Sequence, residues 1–80
     1  MEIDLRGQRA EDALEALERY LESAYLAGLP FVRVIHGKGT GKLRAVIREA
    51  LAASGHVKSW ENGMEKEGGE GVTVARLRTE

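Results

Sequence analysis

Cysteine is absent from this 80-residue chain, so neither a disulfide nor a thiolate metal site can staple the fold. No apolar run approaches the ~20 residues that span a bilayer, and the first residues show no signal-peptide pattern. A cytoplasmic protein with no membrane partner is therefore expected. Aromatic side chains are scarce, with one Trp, two Tyr and one Phe. Tyr20 and Tyr25 fall in a helical pattern and read as packing residues rather than a base-stacking platform. Trp60 reads as a core or sheet-face anchor. Charge of one sign is also lacking: the formal net charge is −1, which excludes a chain that binds polyanions over its whole surface. A chain this short buries only roughly 60% of its unfolded surface, so one domain with short connections is expected.

What the chain does have is glycine and locally sorted charge. Residues 29–48 carry five basic side chains, Arg33, Lys38, Lys42, Arg44 and Arg48, and no acidic one. Residues 10–23 carry five acids, Glu11, Asp12, Glu15, Glu18 and Glu22, against Arg19 alone. A basic face on a neutral domain suits a phosphate-bearing partner gripped at one site. Within the basic stretch stands HGKGTGK, residues 36–42, with glycines at alternate positions 37, 39 and 41. Such a backbone turns sharply and lets a ligand approach without a Cβ in the way. A helix following it would aim its positive end at the loop, so an anion is the expected guest.

The rest of the chain supplies a frame for that loop. Residues 2–6 alternate polar and apolar, the period of a half-buried strand, with Ile3 and Leu5 inward and Glu2, Asp4 and Arg6 on the other face. Residues 10–27 read as a helix: Ala13, Leu14, Leu17, Tyr20, Leu21 and Ala24 recur at helical spacing, Gly28 suits a left-handed stop, and Pro30 forbids continuation. Phe31–Ile35 is a second strand, residues 43–54 a second helix closed by Gly55, and residues 57–60 a short third strand. Arg44 and Arg48 lie one turn apart on the second helix. His56 reads as structural or exposed. Residues 61–71 read as a mobile hairpin loop, and Val72–Leu77 as the last strand. Strand–helix–strand with about 24 intervening residues implies a right-handed parallel crossover. That crossover brings Asp4 and Arg6 to the same sheet edge as His36, where ligands of parallel sheets collect.

Two phosphate motifs fail on the loop. A Walker A loop needs G-x-x-x-x-G-K-[ST], but Gly41-Lys42 is followed by Leu43 and the spacing from Gly37 is one short. A dinucleotide fingerprint needs G-x-G-x-x-G, and this is G-x-G-x-G. Backbone phosphate of a polynucleotide remains, with Gly37, Lys38, Gly39, Thr40, Gly41, Lys42 and Arg44 as the binding set. Cleaving that phosphate needs an acid–base group and a cation for the developing charge. His36 is the candidate acid or base and Arg6 the phosphate clamp. Asp4 would orient Arg6 or His36, or ligate a metal. A two-metal site is poorly supported, because Glu2 and Asp4 are not clustered; one weakly held Mg²⁺ or Mn²⁺, or none, is expected.

These residues carry a resemblance. Ile3-Asp4-Leu5-Arg6-Gly7 resembles the LDLRG motif, and residues 36–41 resemble the HGKGTG motif, of the Smr (small MutS-related) domain; the likeness extends to the GGEGVTVARL ending. Ile3 in place of Leu is a conservative departure. The resemblance implies a compact α/β domain similar to the C-terminal domain of translation initiation factor three. It also implies an endonuclease that nicks DNA with little sequence preference, or RNA in some members, with roles in suppressing recombination and at collided ribosomes. The family's implicated residues fall on Asp4, Arg6 and His36, with the glycine loop on nucleic acid. Such domains sit at the C-terminus of the type-two MutS paralogue, an ATPase, so the chain is expected to be a monomeric piece of a longer protein, with Met1 added. The expected fold is a two-layer βαβαββ sandwich, both helices on one face of a four-stranded mixed sheet. The rival reading is a non-catalytic nucleic-acid or ribosome-binding module using the same loop. An oligomerisation module finds no exposed apolar stripe to support it.

Overall fold

In the computed structural model, which describes residues 1–67 and 69–79, the elements run β1 (Glu2–Asp4), α1 (Ala10–Leu26), β2 (Phe31–Ile35), α2 (Lys42–Ala53), β3 (Val57–Asn62) and β4 (Val72–Leu77). Two 3₁₀ turns, Glu65–Glu67 and Gly69–Gly71, lie between the last two strands. The strands form one sheet in the order β1-β2-β4-β3, with β1 parallel to β2 and β4 antiparallel to both its neighbours. This is the expected βαβαββ arrangement, and the crossover through α1 is parallel as the spacing predicts.

Alternation decides the faces. Val32 and Val34 of β2 stand opposite Ala75 and Thr73 of β4, and all four are buried beneath the helices. Helix α1 turns Ala13, Leu17, Leu21 and Ala24 onto that layer, and α2 adds Ile47 and Leu51. Because one core joins both helices to a single side of the sheet, Glu2, Asp4, Phe31 and Arg33 are left on the open side. Helix α1 ends as its sequence predicts: Gly28 has φ 74°, and the N–H groups of Gly28 and Leu29 return to the carbonyls of Tyr25 and Ala24, both at 3.0 Å. Tyr25 stacks on His56 with ring centroids 4.5 Å apart, which gives both a packing role. No helix among the described residues is long and apolar enough to cross a membrane.

Four expectations need correction. β1 stops at Asp4 rather than residue 6, because the Arg6 N–H turns in to the Asp4 carboxylate at 3.0 Å and Gly7, at φ 77°, leads the chain away. Helix α2 runs over Lys42–Ala53 and closes on an extended Ser54 (φ −76°, ψ 132°), with no left-handed Gly55. β3 continues to Asn62, since Trp60, Glu61 and Asn62 pair with Ala75, Val74 and Thr73. The stretch read as a mobile loop over residues 61–71 is braced instead: Gly63 donates to the Val72 carbonyl at 2.8 Å and Gly69 to that of Met64 at 2.9 Å. Gly68, within that stretch, lies outside the described residues.

Candidate nucleic-acid interface

Parallel pairing of β1 with β2 sets Asp4 opposite Ile35, one residue short of His36. Asp4 and Arg6 form a two-pronged pair, with Nε to Oδ1 at 2.9 Å and Nη2 to Oδ2 at 2.7 Å. The side-chain and backbone hydrogen bonds from Arg6 hold the Asp4 carboxyl down at about 2. Both side chains remain largely in solvent. Of the five guanidinium N–H donors, Asp4 takes the Nε/Nη2 fork; the Nη1/Nη2 edge is left for a second anion.

The loop meets this pair at Gly37. A Cβ built there would sit 3.3 Å from Arg6 Cγ, so the arginine stem lies along bare backbone. Gly37, Gly39 and Gly41 all adopt positive φ, at 80°, 34° and 85°. Each non-glycine alternative would be strained there, which explains the alternate spacing. Lys38, Thr40 and Lys42 are exposed, and the Lys42 N–H leans toward Thr40 Oγ1 at 3.4 Å. Arg44 folds back over Gly41, where a Cβ would come within 3.1 Å of its Nη2. Helix α2 starts from Gly41 with no side-chain cap, so its first-turn N–H groups face the same loop.

His36 lies on the other side of the loop. It continues the β2 alternation onto the helix face and is only 5% exposed. Its Nδ1 is 2.9 Å from the Gly37 carbonyl, which accepts only, so Nδ1 carries the proton. Nε2 then accepts from the Thr73 hydroxyl at 2.7 Å, and Thr73 Oγ1 accepts from Arg48 Nε at 3.1 Å. Burial pushes the His36 pKa down, the Gly37 carbonyl opposes that, and the cations Arg48 and Arg44 push it down further. His36 is thus a neutral imidazole with both nitrogens engaged. Arg48 also donates to Asn62 Oδ1 and lies 4.7 Å from the centre of the Trp60 ring.

The fold therefore brings Asp4, Arg6 and the glycine loop into contact and sets His36 behind the loop. Of the partners open to Asp4, the geometry selects Arg6. Thr73 and Asn62 have no local signature and are not found from the sequence, nor is Gly71; the Gly71 carbonyl accepts from both His36 and Gly37 at 3.0 Å and so fixes the loop's first turn. A glycine before a strand in a GGEG run was the available signal. Arg48 was noticed as a charge but not as a neighbour of His36. For a divalent ion the donor set does not fit: both Asp4 oxygens are bonded to Arg6, and among the described residues no three His, Asp or Glu side chains converge. A groove of about 740 Å³ lies elsewhere, between α1 and the end of α2, away from the loop.

Comparison with known proteins bears on the family and the fold. The family model described as Smr domain matches residues 3–78. Endonuclease MutS2 of Symbiobacterium thermophilum is 56% identical over 77 residues, covering 96% of this chain. The chain spans about 10% of the length of that curated relative. The Smr domain of Thermus thermophilus MutS2 superposes with a TM-score of 0.93 at 48% identity, over 96% of each chain. YdaL, a stand-alone small MutS-related protein from Escherichia coli, superposes with a TM-score of 0.90 at 25% identity, over 96% of this chain and 63% of its own. With the family match running almost end to end and the fold shared, this chain belongs to the Smr domain family.

Proposed function

We propose that this domain nicks the phosphodiester backbone of DNA with little sequence preference, as one part of a longer MutS-like ATPase that restrains homologous recombination. The observation that carries the reading is the Arg6 guanidinium, held by Asp4 in open solvent against the head of a left-handed glycine loop. A bridging phosphate would take the free Nη1/Nη2 edge of Arg6, the loop N–H groups, and the charges of Lys38, Lys42 and Arg44. The names of the relatives point the same way. His36 is the acid–base group of this reading, and it is neutral, the form a base requires. To meet a water or a leaving oxygen, it has to give up the Thr73 hydroxyl.

One observation favours the second reading, a non-catalytic module that grips DNA, RNA or the ribosome. His36 is 5% exposed and spends both nitrogens within the protein, which suits a brace of the loop as well as a base. Conversion of supercoiled plasmid to open circle separates the two, run beside an RNA substrate with Mg²⁺, with Mn²⁺ and with EDTA. The nuclease reading expects His36→Ala and Arg6→Ala each to lose about 100-fold or more in rate while remaining folded. Wild-type rates in both variants, or no cut in either substrate by the parent, would leave the binding module standing.

A further inference from the structure

Of the two places expected for Trp60, the core or the sheet face, it takes the sheet face. It stands opposite Ala75, on the side of the sheet where Ala75 and Val32 are fully buried, yet it keeps 38% of its surface exposed. Its strand is an edge, with β4 on one side and no strand on the other, so the ring is reached from solvent without moving the sheet. Beneath it the Arg48 guanidinium is not a wandering surface charge. Nε is tied to Thr73 and Nη2 to Asn62, which hold the plane 4.7 Å from the ring centre. The same Thr73 hydroxyl holds His36, so the indole is linked to the candidate acid–base group through two side chains, Arg48 and Thr73. Two strand spacings, about 10 Å, separate β3 from β2 and its loop.

We propose that Trp60, backed by Arg48, is a stacking platform for an unpaired base of a nucleic-acid strand whose phosphate lies on the glycine loop. This rests on the nucleic-acid reading above and adds to it that the preferred ligand contains single-stranded bases. An indole face accepts any base, which suits recognition without sequence, and a fixed guanidinium adds to the stack. A fully paired duplex hides its base faces and would use the phosphate loop alone. The Asn62 side chain, two residues along the same strand, gives its carbonyl oxygen to Arg48 and so helps fix the guanidinium under the ring.

Trp60 is the sole tryptophan of the chain, so its emission reports on this position alone. Three probes are titrated against the protein: a short oligothymidylate, an abasic deoxyribose-phosphate oligomer of equal length, and a duplex. Fluorescence anisotropy of end-labelled strands gives binding, and tryptophan emission gives stacking. The platform requires saturable quenching by oligothymidylate and none by the abasic strand. Trp60→Ala should weaken oligothymidylate binding by at least about fivefold and leave duplex binding unchanged, while Trp60→Phe restores most of the loss. Full oligothymidylate binding with unmoved emission overturns the platform and leaves the phosphate loop intact. Absence of binding to all three probes overturns the nucleic-acid reading itself, and the platform with it. The wild-type emission decides the matter even if Trp60→Ala fails to fold.

Discussion

The Asp4 carboxylate, held at about 2 by hydrogen bonds from Arg6, keeps its charge at any pH where a nuclease is assayed. In this exposed position the pair serves to aim Arg6, since ion pairs in solvent contribute little to stability. Lysine at position 6 would keep the charge and lose the planar fork that Asp4 grips. His36 has the opposite character. Burial and the facing cations of Arg48 and Arg44 lower its pKa from the model-compound value of 6.5, so the unfolded chain binds its proton more readily than the folded one. Stability from His36 is therefore complete above about pH 6.5 and is lost as pH falls through that value toward the lower, folded pKa. Thermal unfolding followed from about pH 7 to about pH 5 should show a falling midpoint, and His36→Asn should flatten that slope. An equal slope in the variant would remove His36 as its source.

At the scale of elements, helix ends and the glycine loop use one backbone device for two purposes. Gly28 and Gly37 have nearly the same φ, 74° and 80°, but different surroundings. A Cβ at Gly28 meets nothing within 4 Å, whereas at Gly37 it meets Arg6 Cγ at 3.3 Å. Gly28→Ala should cost about 1 kcal/mol in urea unfolding, from left-handed strain alone, with unchanged affinity for a phosphate-bearing oligomer. Gly37→Ala should lose a similar amount of stability and, in addition, push Arg6 off the loop and weaken that affinity severalfold. Equal affinity in the two variants would count against the packing of Arg6 on Gly37. The cores of these elements were legible because helical and strand periods are local. The ends of β1 and β3 were not: one is cut short by a side chain reaching back to its own strand, and the other is prolonged by pairing with β4.

For the molecule as a whole, the sheet sorts charge. The carboxyl ends of β1, β2 and β3 share one edge with the start of β4, and the basic N-terminal end of α2 overhangs it. The acids of α1 lie on its exposed surface, outside the core layer. A nearly neutral chain thus presents a positive edge without an overall positive field. Binding to duplex should weaken linearly with log salt, and replacing Lys38 and Lys42 together by Gln should reduce that slope by about 2 while the fold is kept. A slope identical to the parent's would move the phosphate contact away from the loop.

What the sequence by itself determined was local: two amphipathic helices, alternating strands, the left-handed stop at Gly28, and a loop whose glycines tolerate no Cβ strain. Periodicity, turn chemistry and charge counts act over a few residues and are written in order along the chain. The crossover rule carried this one step further and joined Asp4 and Arg6 to the loop before any coordinates. Alternation already put Arg6 on the outer face; only the tertiary structure decided that His36 faces inward, because which face of the second strand is covered by the helices is set by packing and not by its own period. It alone set Thr73 against that histidine, Arg48 on Thr73 and Trp60 on Arg48, from three elements brought together by sheet order and not by any spacing in the sequence.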